Sequence, residues 1–173
     1  MATSKRPKGL GPPEAKPLDA RAARVAALDA LARRDHSTED LRRKLLDKGY
    51  DALVVAPLLE ALRADKLLDD RRYAENFVAY HAARGQGPLR VRADLRRHGL
   101  EGDLVGECLD AFPDWMAHLR IARQKKFGAT LPANYADKQR QVQFLGYRGF
   151  TSAQIRTALG FDIDLDAADT EDT

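Results

Sequence analysis

The sequence has few of the residues from which covalent and metal centres are built. Its one cysteine, Cys108, excludes a disulfide within the chain and is typical of a reducing compartment. The four histidines, His36, His81, His98 and His118, show no H-x-x-x-H spacing and no pairing with cysteine. The sequence therefore predicts no metal site.

Long apolar runs are missing as well. No stretch approaches the roughly 20 apolar residues that cross a membrane as a helix. The first residues, MATSKRPKGLGPPEAKP, are basic and hold four prolines, but they lack the apolar core of a secretory signal. We expect a cytoplasmic protein in which residues 1–18 form a disordered, basic, proline-rich arm.

Positive charge is missing from the end of the chain, where no lysine or arginine follows Arg156. Residues 162–173 hold six acids, which contribute −6 to the formal net charge of +3. Residues 1–161 therefore carry +9. We predict that 162–173 is a disordered acidic tail, able to lie on the basic body and compete with an outside anion. A basic body favours polyanions or acidic protein surfaces as partners; the alternative is that scattered charges only keep the chain soluble.

The chain repeats itself with a period of fifty residues, which Gly49, Gly99 and Gly149 mark. Five further positions keep an apolar residue at the same interval: Ala27, Phe77 and Phe127; Leu45, Leu95 and Leu145; Tyr50, Leu100 and Phe150; Val55, Val105 and Ile155; Leu59, Leu109 and Leu159. Chance does not explain six positions that hold one offset in three copies.

Each repeat is predicted to contain three helices, because apolar residues recur at helical spacing between caps and glycine stops. Ser37 and Thr151 are expected N-caps, and Asp69 or Asp70 should cap the fourth helix. Pro57 should kink the third helix or delay its start. The expected helices lie near 19–34, 37–49, 51–64, 70–83, 88–99, 102–112, 114–127, 137–148 and 152–159.

The predicted fold is all-α, with three tandem three-helix repeats that form an elongated, curved molecule. One repeat is too small for a good core, so neighbouring repeats must share apolar surface. The repeats are expected at 19–66, 67–113 and 114–161.

Two short features resemble catalytic groups, but capping and packing explain them. Asp69 and Asp70 form a carboxylate pair of the kind used in general acid–base catalysis. Acids at a helix start also cap it and favour its dipole, and we prefer that interpretation. Cys108 takes the repeat position of Leu58 and Ala158, which favours a buried small hydrophobe over a nucleophile. We expect no catalytic residue and no cofactor.

Residues 87–100, GPLRVRADLRRHGL, are predicted to form a short basic helix. Gly87 and Pro88 begin it and Gly99 ends it. On a helical wheel, Val91, Leu95 and His98 share the inward face. Two arginine pairs flank that face and only Asp94 dilutes them: Arg92 with Arg96, and Arg90 with Arg97.

These arginines are our candidate partner-binding residues, since guanidinium groups bind phosphates and carboxylates in bidentate fashion. Tyr73, Phe77 and Tyr80 have core spacing, so the aromatic platform of single-strand binders is missing here. Any DNA contact should be phosphate-led, salt-sensitive and without sequence specificity. We call the set the basic ridge: Arg84, Arg90, Arg92, Arg96 and Arg97, with Arg71, Arg72 and Arg148 as secondary members.

The segment LLDDRRYAENFVAYHAARGQGPLRVRADLRRHGL resembles the central signature of the RecX family, bacterial regulators of the RecA recombinase. The matching residues are Leu68, Asp69, Asp70, Tyr73, Ala74, Phe77, Val78, Gly85, Gly87, Pro88, Arg90, Val91, Leu95 and Gly99. The outer repeats also match, through Ser37, Leu41, Leu45 and Gly49 in the first and Phe144, Leu145, Arg148, Gly149 and Phe150 in the last. The resemblance spans roughly residues 21–161 and leaves out both ends of the chain.

The resemblance implies three tandem three-helix repeats and no catalytic site. It also implies a protein that binds the RecA–DNA filament and inhibits RecA ATP hydrolysis, strand exchange and coprotease activity, with weak DNA binding of its own. Pro57 and the two ends depart from the family pattern. The family motif contains mainly packing and capping residues, so the basic ridge remains a hypothesis from charge geometry. The alternative is a general helical module that binds nucleic acid without RecA, because three-helix units can resemble helix-turn-helix folds.

Overall fold

The computed structural model describes residues 19–160, and within that range it contains nine α-helices and no strand. The all-α prediction is confirmed. The predicted arm at 1–18 and the acidic tail at 162–173 lie outside the described residues. The helices are α1 (Ala20–Arg33), α2 (Thr38–Asp47), α3 (Ala52–Ala64), α4 (Asp70–Ala83), α5 (Pro88–Arg97), α6 (Asp103–Ala111), α7 (Trp115–Phe127), α8 (Tyr135–Tyr147) and α9 (Ser152–Leu159).

Short polar side chains begin several helices, as their sequence positions predict. Ser37 Oγ accepts the Asp40 N–H at 3.0 Å. Thr151 Oγ1 accepts the Gln154 N–H at 3.2 Å. Gln154 Oε1 in turn accepts the Thr151 N–H at 2.9 Å, which completes a capping box. Pro88 takes the first position of α5, directly after Gly87. These caps fix the helix starts through local interactions alone.

The second helix of each repeat ends in the same way. Gly49, Gly99 and Gly149 have φ of +86°, +76° and +86°, the left-handed region that glycine adopts without strain. The residue after each glycine donates its N–H to a carbonyl five residues earlier: Tyr50 to Leu45 at 3.2 Å, Leu100 to Leu95 at 3.0 Å and Phe150 to Leu145 at 3.1 Å. The glycines that mark the fifty-residue period therefore belong to a Schellman-type helix end that recurs in each repeat.

The described residues form two compact units, 19–70 and 71–160. In the first unit, α1, α2 and α3 enclose one apolar core, formed by Ala23, Ala27, Ala30, Leu41, Leu45, Val54, Val55, Leu58, Leu59, Leu62 and Leu68. α3 begins at Ala52, so a late start caused by Pro57 is wrong. Pro57 lies on the exposed side of the helix, where its ring removes one backbone hydrogen bond without reaching the core.

The Asp69-Asp70 pair lies at the end of the first unit. α4 begins at Asp70, so Asp69 directly precedes the helix. The Asp70 carboxylate accepts the Thr38 N–H at 2.8 Å, at the start of α2. Asp70 therefore satisfies a free N–H group at the start of another helix, a partner that local sequence does not reveal.

The second unit contains nearly all of α4 and the whole of α5 to α9, the helices of the predicted second and third repeats, around one shared core. Its buried residues come from both: Ala74, Val78, Ala82, Val91, Leu95, Leu100, Val105, Cys108, Leu109, Trp115, Leu119, Ala122, Leu145, Phe150, Ile155 and Leu159. The expected sharing of apolar surface between neighbouring repeats is thus present between these two.

The aromatic residues of α4 do not form the core stripe that their spacing predicted. Tyr80 is 56% exposed, so its assignment to the core is wrong. Small residues, Ala74, Val78 and Ala82, occupy the buried face instead. Tyr73 and Phe77 lie beside that face, half-buried, with ring centroids 5.9 Å apart. Small side chains allow the neighbouring helices to approach closely, which displaces the large rings to the flank.

The start of α5 meets the end of α8 directly. The Gly87 N–H donates to the Arg148 carbonyl at 2.8 Å, and the Leu89 N–H donates to the Gly149 carbonyl at 3.0 Å. A Cβ on Gly87 would lie 2.3 Å from the Gly149 carbonyl carbon, and a Cβ on Gly149 would lie 2.5 Å from the Arg90 nitrogen. We call this contact the α5–α8 junction. Both glycines are needed here because the two backbones leave no room for a side chain.

We expect Gly87→Ala to destabilise the second unit by about 2 kcal/mol or more, because the added Cβ must separate the two hydrogen-bonded backbones. Urea unfolding followed by Trp115 fluorescence measures this unit, since Trp115 is the one tryptophan of the chain and lies in that core. Gly146→Ala is the matched control: it lies inside α8, the new Cβ would meet no atom within 4 Å apart from the adjoining backbone of its own helix, and the stability should rise by about 0.5–1 kcal/mol. Equal unfolding of Gly87→Ala and the unsubstituted chain would contradict the junction.

We expect the stability of the protein to depend on pH through His36. This residue is only 3% exposed, and its ring nitrogens have no hydrogen-bond partner within the described residues. Burial, followed by the charges of Arg34 and Lys44, lowers the pKa of His36 below its ordinary value of 6.5. Below pH 6.5, His36 therefore binds a proton more readily in the unfolded chain than in the folded chain. The free energy of unfolding should then fall as the pH drops below 6.5. The expected slope is at most about 1.4 kcal/mol per pH unit.

Urea unfolding by circular dichroism at a series of pH values, between about pH 5 and 8, measures this dependence. His36→Leu removes the titrating group and should flatten the curve below neutral pH. If the substituted chain loses stability on acidification as steeply as the original, the assignment to His36 is wrong.

Candidate partner-binding surface

α5 carries the centre of the basic ridge because its two buried residues fix which side faces outward. Val91 and Leu95 are fully buried in the core of the second unit, as the wheel predicted. His98 is half-buried, with its ring 5.2 Å from that of Phe77. Arg92, Arg96 and Arg97 are exposed on the remaining surface; the side chains of Arg96 and Arg97 keep 70% and 78% of their accessible area.

Carboxylates compensate part of the ridge and leave part of it uncompensated. Asp94 lies 2.7 Å from Arg97 Nη1 and 3.9 Å from Arg90 Nε, and its side chain is only 17% exposed. Glu101 lies 3.9 Å from Arg96 Nε. Within residues 19–160, Arg92 has no ion-pair partner. Arg92 is therefore the arginine of α5 whose charge is most open to an outside anion.

The α5–α8 junction brings Arg84, Arg90 and Arg148 together. Arg148 Nη1 donates to the Arg84 carbonyl at 3.1 Å. Arg90 adjoins Gly149, the residue after Arg148, and its guanidinium carbon lies 5.8 Å from the centre of the Tyr147 ring. The sequence separates Arg84 from Arg148 by 64 positions, and the junction makes them neighbours.

Aromatic rings hold two of these guanidinium groups in place. The Arg84 guanidinium carbon lies 4.6 Å from the centre of the Tyr80 ring, and its Nη1 donates to the Tyr80 hydroxyl. The Arg148 guanidinium carbon lies 5.1 Å from the centre of the Phe144 ring. Neither arginine has a carboxylate partner within residues 19–160. Both cations are thus positioned by stacking and keep their charge uncompensated.

The arginines at the start of α4 have a different environment. Arg71 Nη2 donates to the Glu107 carboxylate of α6 at 2.5 Å. This bond raises the pKa of Arg71, so the group stays charged but is already paired. Arg72 is exposed beside it. These secondary members therefore form a separate part of the predicted ridge, at the opposite end of α4 from Arg84.

A basic cleft lies beside the junction, and the sequence did not predict it. It lies between the end of α4, α7 and α8, encloses about 210 Å³, and has no acid among its lining residues. Four cations line it, Arg84, Lys125, Lys126 and Arg148, together with the apolar side chains of Ile121 and Phe144. We call it the basic cleft. The available signal was the pair Lys125-Lys126 in the last turn of α7, which resembles ordinary C-terminal helix charges.

Possible reactive centres in the described residues are metal-binding groups and the single cysteine. No group of three or more histidine, cysteine or acidic side chains within residues 19–160 is arranged to hold a metal ion. Cys108 is buried, and burial raises the pKa of its thiol, which favours the unreactive protonated form. Across the same residues, no helix has both the length and the apolar character needed to cross a bilayer.

Three family models match the chain, one for each repeat. Their descriptions are RecX, first three-helix domain, over residues 23–62; RecX, second three-helix domain, over residues 69–109; and RecX, third three-helix domain, over residues 114–159. The matched segments contain every helix that the structure assigns to residues 20–159 in whole or in large part.

Named relatives agree with these matches. The chain is 45% identical over 152 residues to the regulatory protein RecX of Halorhodospira halophila, covering 87% of this chain and 91% of that protein. It is 42% identical over 142 residues to the regulatory protein RecX of Acidithiobacillus ferrooxidans, covering 82% and 91%. It is 40% identical over 131 residues to that of Ectopseudomonas mendocina, covering 75% and 87%.

Solved structures share the fold. The crystal structure of RecX from Lactobacillus salivarius superposes with a TM-score of 0.72 at 19% identity, over 82% of this chain and 95% of the other. A crystal structure of regulatory protein RecX gives 0.68 at 23% identity, over 82% and 72%. The family models, the named relatives and the shared fold lead to one conclusion: the chain belongs to the RecX family of regulatory proteins.

Proposed function

We propose that this protein binds the filament that RecA forms on DNA and inhibits RecA's ATP hydrolysis, strand exchange and coprotease activity. Membership of a family of regulatory proteins supports this proposal. The observation that carries it is the exposed, partly uncompensated row of arginines on α5, which is suited to an anionic partner. The protein then acts by occupying a surface, and it needs no catalytic residue.

The basic ridge contacts acidic RecA surface, DNA phosphates, or both. Arg92 and the junction arginines Arg84 and Arg148 have no carboxylate partner within residues 19–160, so no acid of those residues competes there with a partner's anions. Contacts of this type are salt-sensitive, because an arginine that binds a phosphate releases the mobile counterions that neutralised that phosphate. They contain no base-specific element, so DNA sequence should not affect them.

The first test measures RecA's DNA-dependent ATP hydrolysis against increasing amounts of the protein, with binding to bare single-stranded DNA measured in the same salt. We expect inhibition at concentrations too low to coat bare DNA, because the filament offers protein and phosphate contacts together. Inhibition only where bare DNA is already saturated would favour the alternative, a general nucleic-acid-binding module that competes for DNA.

We expect Arg92→Glu with Arg96→Glu to weaken filament binding several-fold or more, because the exposed centre of the ridge becomes repulsive. The melting temperature and helix content should stay nearly unchanged, since exposed charges contribute little to stability. Co-sedimentation with RecA filaments measures the binding, and circular dichroism measures the melting.

Arg21→Glu with Arg120→Glu is the matched control. Both are exposed arginines outside the ridge, neither has an ion-pair partner within residues 19–160, and the change in net charge is the same. The control should retain binding. Equal losses in the two double variants would show that net charge alone acts, and undiminished binding of the ridge variant would remove the ridge as the docking surface.

A further inference from the structure

We infer that the C-terminal segment of this chain, residues 161–173, binds in the basic cleft and shields it from outside anions. This binding involves only the chain's own residues and does not require RecA. It depends on the composition of the cleft, the sequence of the segment and the place where the described residues end.

The basic cleft has an unbalanced charge. Arg84, Lys125, Lys126 and Arg148 line it, no acid does, and none of the four has a carboxylate partner within residues 19–160. Arg148 donates a hydrogen bond to the Arg84 carbonyl, and the Arg84 guanidinium donates one to the Tyr80 hydroxyl. These bonds hold two of the four cations in position. A fixed group of unpaired cations favours a carboxylate-bearing ligand.

The cleft also has an apolar wall. Ile121 is 47% exposed, and it lines the cleft together with Ala122 and the Phe144 ring. A suitable ligand therefore alternates apolar and acidic groups. A bare phosphate chain satisfies the cations but not this wall, whereas a peptide with both kinds of side chain satisfies both.

The C-terminal segment has that alternation. It begins FDIDLD, so Phe161, Ile163 and Leu165 alternate with three aspartates, and three further acids follow. In an extended peptide, alternate side chains point to opposite sides, so one side of this segment would be apolar and the other acidic. Its charge is opposite to that of the cleft, and its apolar residues match the wall.

The segment is attached close enough to reach. It follows Gly160, directly after α9, and α9 packs against both α7 and α8, which form the cleft. Thirteen extended residues span up to roughly 40 Å, several times the radius of gyration of about 12 Å expected for a unit of this size. Attachment also gives an effective concentration in the millimolar range, so weak contacts are enough for substantial occupancy.

A spin label tests where the segment binds in the full chain. Thr170→Cys provides the attachment point, because the native Cys108 is buried. We expect the label to broaden the amide resonances of Lys125, Lys126 and Phe144, and the broadening to disappear at high salt as the charges are screened. No broadening of these residues, or equal broadening over the whole of residues 71–160, would overturn the inference.

Two variants of equal charge locate the contact. Lys125→Glu with Lys126→Glu should abolish the broadening, whereas Arg92→Glu with Arg96→Glu should leave it in place, because those arginines do not line the cleft. If the ridge variant abolishes it as well, the segment responds to total charge and not to the cleft.

Binding of a fluorescent oligothymidylate measures the shielding without RecA. Neutralising Asp162, Asp164 and Asp166 to asparagine should raise the affinity several-fold, and the gain should vanish when Lys125 and Lys126 are alanine. An unchanged affinity, or the same gain in both backgrounds, would count against the cleft. These outcomes leave the proposed RecA function untouched, since RecA is absent from every sample.

Discussion

The contact between the ends of α5 and α8 determines the arrangement of the second unit. A helix start leaves N–H groups without partners and a helix end leaves carbonyls without partners. Here the N–H groups of Gly87 and Leu89, at the start of α5, donate to the carbonyls of Arg148 and Gly149, at the end of α8. The opposite partial charges of the two helix ends add to the attraction. Because neither glycine can carry a side chain, the register between the helices is fixed to the residue.

The basic surface follows from that register. The same contact that joins the helices places Arg148 against the Arg84 carbonyl and Arg90 beside Gly149. Candidate binding residues that come from distant segments of the chain are thus positioned by backbone hydrogen bonds in the interior. The candidate surface and the core of this unit both depend on the junction, so a change at the junction affects both.

Features set by neighbouring residues were predictable from the sequence. The caps at Ser37 and Thr151 and the helix ends at the repeated glycines depend on contacts within a few residues, and all were predicted. The inward face of α5 also followed from the positions of Val91 and Leu95. The fold class required only these local signals and the period of the repeats.

Features set by distant segments were not predictable. Nothing near Gly87 in the sequence reveals that another backbone lies against it, and Lys125 gains significance only because α4 and α8 end beside it. Tyr80 has core spacing, yet Ala74, Val78 and Ala82 occupy the buried face of its helix. Arg123 resembles the lysines that follow it, although it is buried and donates to the Ala129 and Thr130 carbonyls.

The position of Asp94 has a consequence for how the candidate surface would recognise a partner. An incoming carboxylate or phosphate at Arg97 or Arg90 replaces a bond that Asp94 already supplies, so the exchange yields only the difference between two similar contacts. At Arg92 nothing is replaced within the described residues. If α5 is the docking surface, as proposed, we expect most of the gain on binding to come from an anion placed at Arg92, the arginine of α5 that has no ion-pair partner within residues 19–160.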